Sequence, residues 1–363
     1  MKRKAYEHYM TTLNDIAAAC GVSRTTVSRV LSQDPEFSVS EQTRELVFAT
    51  AKAMNYDMNQ KRRTPGRKET KDSLGQLNAP IIKVGILNCE FKLFEIAIND
   101  YYNTIFSGFI SCLQDMNLIP GMEFRYILKE SYEELSGLDA LIILGKLKLN
   151  PYHPLVHKIK YKIILDYIAP DYQFDSILPD FNQVVQMAIN YFHSIGHLDI
   201  GYIGSLDRIV QFAFNSKEEK KDFRHLAFQN YCLQSGIDPE SRIWLADSFS
   251  PEDGYAITNR LINEKKLPPA LLYGSDGLVM GAYKAFQEHD IKVGENISVI
   301  GIDNMPFSGF LNPPLTTIAL NPQLLGRAAA HALVSQFGQH RDYPLTIHPP
   351  LKMVVRNSCK KLL

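Results

Sequence analysis

The chain has 363 residues, 45% of them hydrophobic, which is ample for packed cores and excludes a chain dominated by disorder. Its 39 basic and 39 acidic residues cancel overall, yet residues 1–71 hold thirteen Lys and Arg against eight Asp and Glu, so the positive excess sits at one end, as a solvated basic face or as a surface for a polyanion such as nucleic acid. No stretch approaches the roughly 18 apolar residues of a membrane span, and the start "MKRKAYEHYMTTLND" lacks the apolar core of a secretory signal, so a cytoplasmic protein without a membrane partner is expected.

The first predicted elements lie in "TTLNDIAAACGVSRTTVSRVL". Thr12 and, three residues on, Asp15 form a capping box, after which Ile16, Ala17 and Cys20 share one helical face. Gly21 ends that helix where a left-handed backbone is cheap, and Ser23 caps a second helix running to about Ser32. Ser40 caps a third, marked by Val47, Ala51 and Met54 at i, i+4 and i+7. Three helices with a tight turn between the first two make a helix-turn-helix, in which the second helix enters the DNA major groove. Val22, Val27, Val30 and Leu31 then face inward, while Arg24 and Thr25 open the recognition helix, where Arg can donate a bidentate pair to guanine. Ser28 and Arg29, one turn on, reach a base or the backbone.

"TLNDIAAACGVSRTTVSRVLS" followed by "VSEQTRELVFATAKAMNY" resembles the lactose/galactose repressor (LacI/GalR) family of bacterial transcription regulators. The resemblance implies that Arg24, Thr25 and Arg29 read bases and that Thr12, Ser23, Thr26 and Ser28 mostly hold the DNA backbone. Most members continue with a hinge helix whose leucine wedges into the minor groove. This chain instead reads "NYDMNQKRRTPGRKETKDSLGQLNAP", with Pro65 and Gly66 where that helix would run. Lys61, Arg62, Arg63, Arg67 and Lys68 there can neutralise phosphates or form a solvated tether. The organisation is thus residues 11–60 as the DNA-binding domain, 61–80 as a basic linker or hinge, and 81–363 as an effector-binding and dimerisation domain.

From Ile81 on, "IIKVGIL", "FRYIL", "DALIILG", "KIILD", "IGYIG", "ALLYG" and "SVIGID" alternate with helical stretches. That order predicts parallel sheets flanked by helices, and its length suits two doubly wound α/β lobes with a cleft at the C-terminal ends of their strands. The five scattered cysteines, Cys20, Cys89, Cys112, Cys232 and Cys359, have neither zinc-site spacing nor the density of a disulfide scaffold, so reduced thiols and no metal are expected.

The resemblance extends here too, through "FNQVVQMAINYFHSIGHLDIGYIG", "KKDFRHLAFQNYC", "GSDGLVMGAYKAFQEHDIKVGENISVIGIDN" and "PPLTTIALNPQLLGRAAAHAL". It implies a periplasmic-binding-protein-like effector domain. A sugar site needs bidentate donors, acceptors and an aromatic face. Arg224 matches the family's arginine for ligand oxygens, although a surface salt bridge is the structural alternative. Asp303 matches the acceptor for sugar hydroxyls, or is a helix cap after a strand. Phe249 falls at the stacking-aromatic position, Ser275 stands where asparagine is common, and its neighbour Asp276 reads as structural. Asp166, closing "KIILD", is a second acceptor candidate; Tyr101, Tyr102 and Lys146 are placed only by their loops. "YYN" and "GK" in those loops are similar to the branch with galactose-type and evolved β-galactosidase repressors, which favours a galactoside, while a purine could be held by the same set.

An enzyme is disfavoured because the chain has no Walker A motif, GxSxG elbow or HExxH pair, and a transport binding protein has no use for a helix-turn-helix. The expectation is a repressor of a sugar-utilisation operon, binding double-stranded operator DNA as a homodimer, without a cofactor. Activation stays open, and the chain stops after "LKMVVRNSCKKLL" without the leucine heptads that make tetramers in some relatives.

Overall fold

The structure, a computed structural model, describes residues 13–31, 37–53, 81–88, 100–127, 131–168, 174–214, 216–339, 341 and 343–362. The chain divides into two compact units, Met1–Gln76 and Leu77–Leu363. Thr12, the side chain of Asp15, Met54, Cys89 and the linker cluster Lys61, Arg62 and Arg63 lie outside the described residues.

In the first unit α1 (Leu13–Cys20), α2 (Arg24–Leu31) and α3 (Glu41–Ala53) pack around Ile16, Ala17, Val27, Val30, Val47 and Ala51, all buried. Gly21 adopts φ +66°, and the Val22 N–H donates to Ala17 O at 3.1 Å to close the turn. The Ser23 hydroxyl accepts from the Thr26 N–H at 3.0 Å, and the Ser40 hydroxyl from the Thr43 N–H at 3.2 Å, so both expected caps start their helices. Val22 and Leu31 pack at the margin of this core.

The second unit has two lobes. The chain of the N-terminal lobe runs β1 (Ile82–Asn88), α4 (Asp100–Asp115), β2 (Met122–Tyr126), β3 (Ala140–Leu144), β4 (Leu147–Lys148), α5 (Pro154–Lys158), β5 (Tyr161–Leu165) and β6 (Asp175–Ile177). The C-terminal lobe takes α6 (Phe181–Ser194), β7 (Ile200–Gln211), β8 (Ser216–Lys221), α7 (Phe223–Gln234), β9 (Ile243–Ala246), α8 (Pro251–Asn263), β10 (Ala270–Tyr273), α9 (Asp276–Glu288), β11 (Ser298–Asp303) and β12 (Thr316–Ala319). Then α10 (Pro322–Gln339) and β13 (Thr346–Ile347) return to the first lobe, and β14 (Lys352–Val354) closes the second.

The first sheet has the order β13-β6-β5-β3-β1-β2 and is parallel throughout. Its central strand, "ALIIL", is buried at every position, as a parallel strand covered on both faces requires. The second sheet runs β14-β12-β11-β10-β7-β4, with β8 and β9 also on β7; β14 and β8 pair antiparallel and the rest parallel. Apolar clusters lie on both faces of each lobe's sheet. Among the described residues no helix is long and apolar enough to cross a membrane.

Candidate effector cleft and DNA-reading helix

Helix α2 divides as its sequence requires. Val27 and Val30 are fully buried, Arg24, Thr25 and Arg29 are exposed, and Thr26 and Ser28 are half-buried between the two faces. The Ser23 and Thr26 hydroxyls share a hydrogen bond of 2.9 Å, which fixes the start of the helix, and the Arg29 guanidinium lies 5.3 Å from the centre of the Phe37 ring. Arg24 and Thr25 therefore project from a rigid first turn.

In the second unit a cavity of about 430 Å³ lies between the lobes, and all eight residues predicted for a ligand line it. Tyr101 and Tyr102 come from the first turn of α4, Lys146 from the turn after β3, and Asp166 from the end of β5. Arg224 stands in the first turn of α7, Phe249 just before α8, Ser275 just before α9, and Asp303 at the end of β11. Strand ends and helix starts meet here because the central strands of both sheets run parallel and point their C-terminal ends at the cleft.

Asp166 and Asp303 have φ of +61° and +114°, backbone conformations that disfavour any residue with a side chain. Such strain at two strand ends marks a site where side-chain direction outweighs backbone comfort. The Asp166 carboxylate accepts from the Tyr101 hydroxyl at 3.0 Å and the Tyr102 hydroxyl at 2.9 Å. Burial raises the Asp166 carboxyl, opposed by Lys146, the Tyr102 hydrogen bond and Arg224. Asp303 is raised well above the ordinary carboxylate range by burial and by the nearby Asp276 carboxylate, against the pull of Arg224.

Arg224 lines the cleft and is buried, as is the Asp222 it pairs with, so the salt bridge is an internal one and not at the surface. Its Nε and Nη2 donate to the two carboxylate oxygens of Asp222 at 2.7 and 2.6 Å, and Nη1 donates to Gly274 O at 2.6 Å. The guanidinium carbon lies 4.4 Å from the centre of the Phe249 ring and 5.2 Å from that of Phe181. Phe249 therefore stacks on the arginine in this state, where the sequence suggested a face for the ligand. Lys146 pairs with Asp207 and lies 3.7 Å from Asp222, so a buried chain of alternating charge crosses from one lobe to the other. Burial and the Asp222 carboxylate push Asp207 up to about 7. For Asp222 burial acts upward as well, but Arg224 and then Lys146 outweigh it and hold the carboxyl low.

Ser275 caps α9 by accepting from the Leu278 N–H at 3.2 Å. Asp276 is structural, as its position suggests. It accepts from the Met305 N–H, the Ser308 hydroxyl and the Thr317 hydroxyl at 2.9, 2.5 and 2.7 Å, tying the segment after β11 to α9.

Phe181, Asp207 and Asp222 were not among the predicted residues. Asp222 was within reach, since an Asp immediately before the apolar-periodic "FRHLAF" is a helix-cap signal, and it does cap α7. Asp207 sits within a long strand and carries no comparable mark.

Residues 12–59 match the family described as bacterial regulatory proteins, lacI family, and residues 189–359 match the periplasmic binding protein-like domain. The chain thus joins a lacI-family DNA-binding domain to a periplasmic-binding-protein-like domain. It is 25% identical over 354 residues to the HTH-type transcriptional repressor MelR of Bacillus subtilis (strain 168), covering 96% of this chain and 98% of that protein. Two solved structures share the fold across 96% of this chain and 99% of theirs. The lac repressor dimer bound to operator and the anti-inducer ONPF has a TM-score of 0.60 at 22% identity, and the transcriptional regulator CelR–cellobiose complex 0.61 at 21%. The chain is a DNA-binding transcription regulator with an N-terminal helix-turn-helix and a two-lobed α/β domain.

Proposed function

We propose that this regulator is a cytoplasmic repressor of a sugar-utilisation operon, that it binds a pseudopalindromic operator as a homodimer, and that a small sugar in the inter-lobe cleft controls it. The observation that carries the sugar reading is one cavity holding two guanidinium groups, two phenols, two amines and four carboxylates beside aromatic rings. Sugar hydroxyls both donate and accept, and such a set meets them with both kinds of partner. Arg224 and Asp303 act on neighbouring ligand oxygens from one lobe, Asp166 with its two tyrosines from the other, and Phe249 offers an aromatic wall. The formal charges of the lining side chains nearly balance, which suits a neutral polyol better than an anion. The CelR structure was solved with cellobiose, and the "YYN" and "GK" loops favour a galactoside.

On the DNA side, Arg24, Thr25 and Arg29 are read as the base-contacting residues, with Thr12, Ser23, Thr26 and Ser28 on the backbone and Lys61, Arg62 and Arg63 on phosphates. The chain acts by binding and carries no catalysis of its own. The test is a thermal-shift screen of galactose, galactosides, glucosides, ribose and purines on the full chain. A ligand at 100 times its Kd stabilises the folded state by about 2.7 kcal/mol. A galactoside is expected to give the largest shift; a shift with purines alone overturns the sugar reading.

A further inference from the structure

The second half of β7 belongs to one lobe by chain and to the other by packing. Through residues 200–205 the strand pairs with β10 and β9, and through 206–211 it leaves both and pairs antiparallel with β8. There Val210 and Gln211 run alongside Leu147 and Lys148 of β4. The Val210 N–H donates to Lys146 O and the Phe212 N–H to Lys148 O, both at 2.9 Å. Ile209, Val210 and Phe212 are at most 5% exposed and share an apolar cluster with Leu141, Ile143 and Ile164 of the N-terminal sheet. Inside the cleft, Lys146 of one lobe pairs with Asp207 of the hairpin.

Three covalent crossings join the lobes, after β6, after β12 and between β13 and β14. Rotation about crossings of this kind opens a two-lobed cleft. The hairpin adds a link that any such rotation must bend or break: two backbone hydrogen bonds, a buried apolar face and an ion pair that lost partners would leave as isolated charges. We propose that the β7–β8 hairpin is an inter-lobe clasp that restrains opening of the cleft, with Lys146 and Asp207 as its positioning pair. Both residues line the cavity, so a ligand that engages either one acts on the clasp directly and sets the angle between the lobes through it. That bearing on the effector rests on the function proposed above; the clasp itself is tested without any ligand.

The full-length protein is compared with Asp207→Asn, and with Asp207→Asn carrying Lys148→Cys and Gln211→Cys, by amide hydrogen exchange and small-angle scattering. In the wild type, amides of 147–150 and 206–212 exchange slowly and at one rate. In Asp207→Asn both segments exchange faster together, by about tenfold for one lost charge-assisted hydrogen bond, and the radius of gyration rises. Amides of β10 and β11 keep their rates, which a general loss of stability would not allow. Oxidising the introduced cysteine pair restores slow exchange and the smaller radius, and reduction removes both. Faster exchange in 206–212 with 147–150 and the radius unchanged would overturn the clasp, as would failure of the introduced pair to crosslink in the native protein. A regulator indifferent to every sugar refutes the effector reading and leaves these outcomes as they are.

Discussion

Replacing Asp222 by Asn keeps the shape of the side chain and removes its charge. In the wild type this carboxylate accepts from the Arg224 backbone N–H, Nε and Nη2 at 2.7, 2.7 and 2.6 Å, and the Lys146 amine is 3.7 Å away. The amide of Asn can keep one acceptor toward the backbone N–H and Nε, but it turns a donor toward Nη2 and Lys146. Removing one partner of a buried ion pair costs about 3–5 kcal/mol, and since Arg224 keeps Gly274 O and two aromatic faces, the lower end is expected here. Urea unfolding followed by the fluorescence of Trp244, the single tryptophan of the chain and a residue of β9, reports this unit directly. The pH dependence has a definite sign. Asp222 is held below its unfolded value, so its contribution is full above about pH 4 and is lost as pH falls through the folded-state value. The gap between wild type and Asp222→Asn is therefore wide at pH 7 and narrows toward pH 3. A gap under about 0.5 kcal/mol at pH 7, typical of a neutral surface change, or one that widens on acidification, refutes the buried chain of charge.

Arg24→Ala should relax preference at one base pair of each half-site and cost about 1–3 kcal/mol per contact, read by binding to single-base operator variants; an unchanged profile means that α2 is not the reading helix. Tyr102→Phe removes the 2.9 Å hydrogen bond to Asp166 and should lower stability by about 1.5–3 kcal/mol in urea unfolding, with no change in ligand-free operator affinity. At Gly281, where α9 crosses α8, a Cβ would lie 1.7 Å from Pro251 O, a backbone atom that cannot step aside. Gly281→Ala should thus cost about 1–3 kcal/mol or more by overpacking; a melting temperature equal to wild type contradicts the close crossing.

Where one residue type had one physical use, the sequence was readable. Gly21 at φ +66°, Ser23 and Ser40 as caps, and Val27, Val30, Val47 and Ala51 as a core all stand where spacing and backbone preference put them. The strands "ALIIL" and "SVIGID" were legible as continuous apolar runs, whereas β4, β6 and β13, at two or three residues each, are too short for any periodicity to show. The cleft divides the same way. Its eight expected residues converge on one cavity, but the partners that set their state do not announce themselves. Asp222 reads as a cap and doubles as the arginine's counter-ion; Asp207 gains its meaning only from Lys146, 61 residues away in the chain. The upward shift of the Asp303 carboxyl likewise comes from burial and from Asp276, a residue the sequence assigns to structure.

The central claim is that one chain reads DNA with α2 and answers to a sugar in the cleft. It is tested most directly by selecting bound DNA from a randomised library with the full-length protein, then measuring affinity for the selected site by fluorescence anisotropy across a titration of galactose and galactosides. The account predicts a pseudopalindromic site, an affinity that a galactoside shifts in the wild type, and no such shift in Arg224→Ala or Asp303→Ala, whose sugar-free affinity stays near wild type. Selection without sequence preference, or a wild-type affinity that no sugar moves, would contradict it.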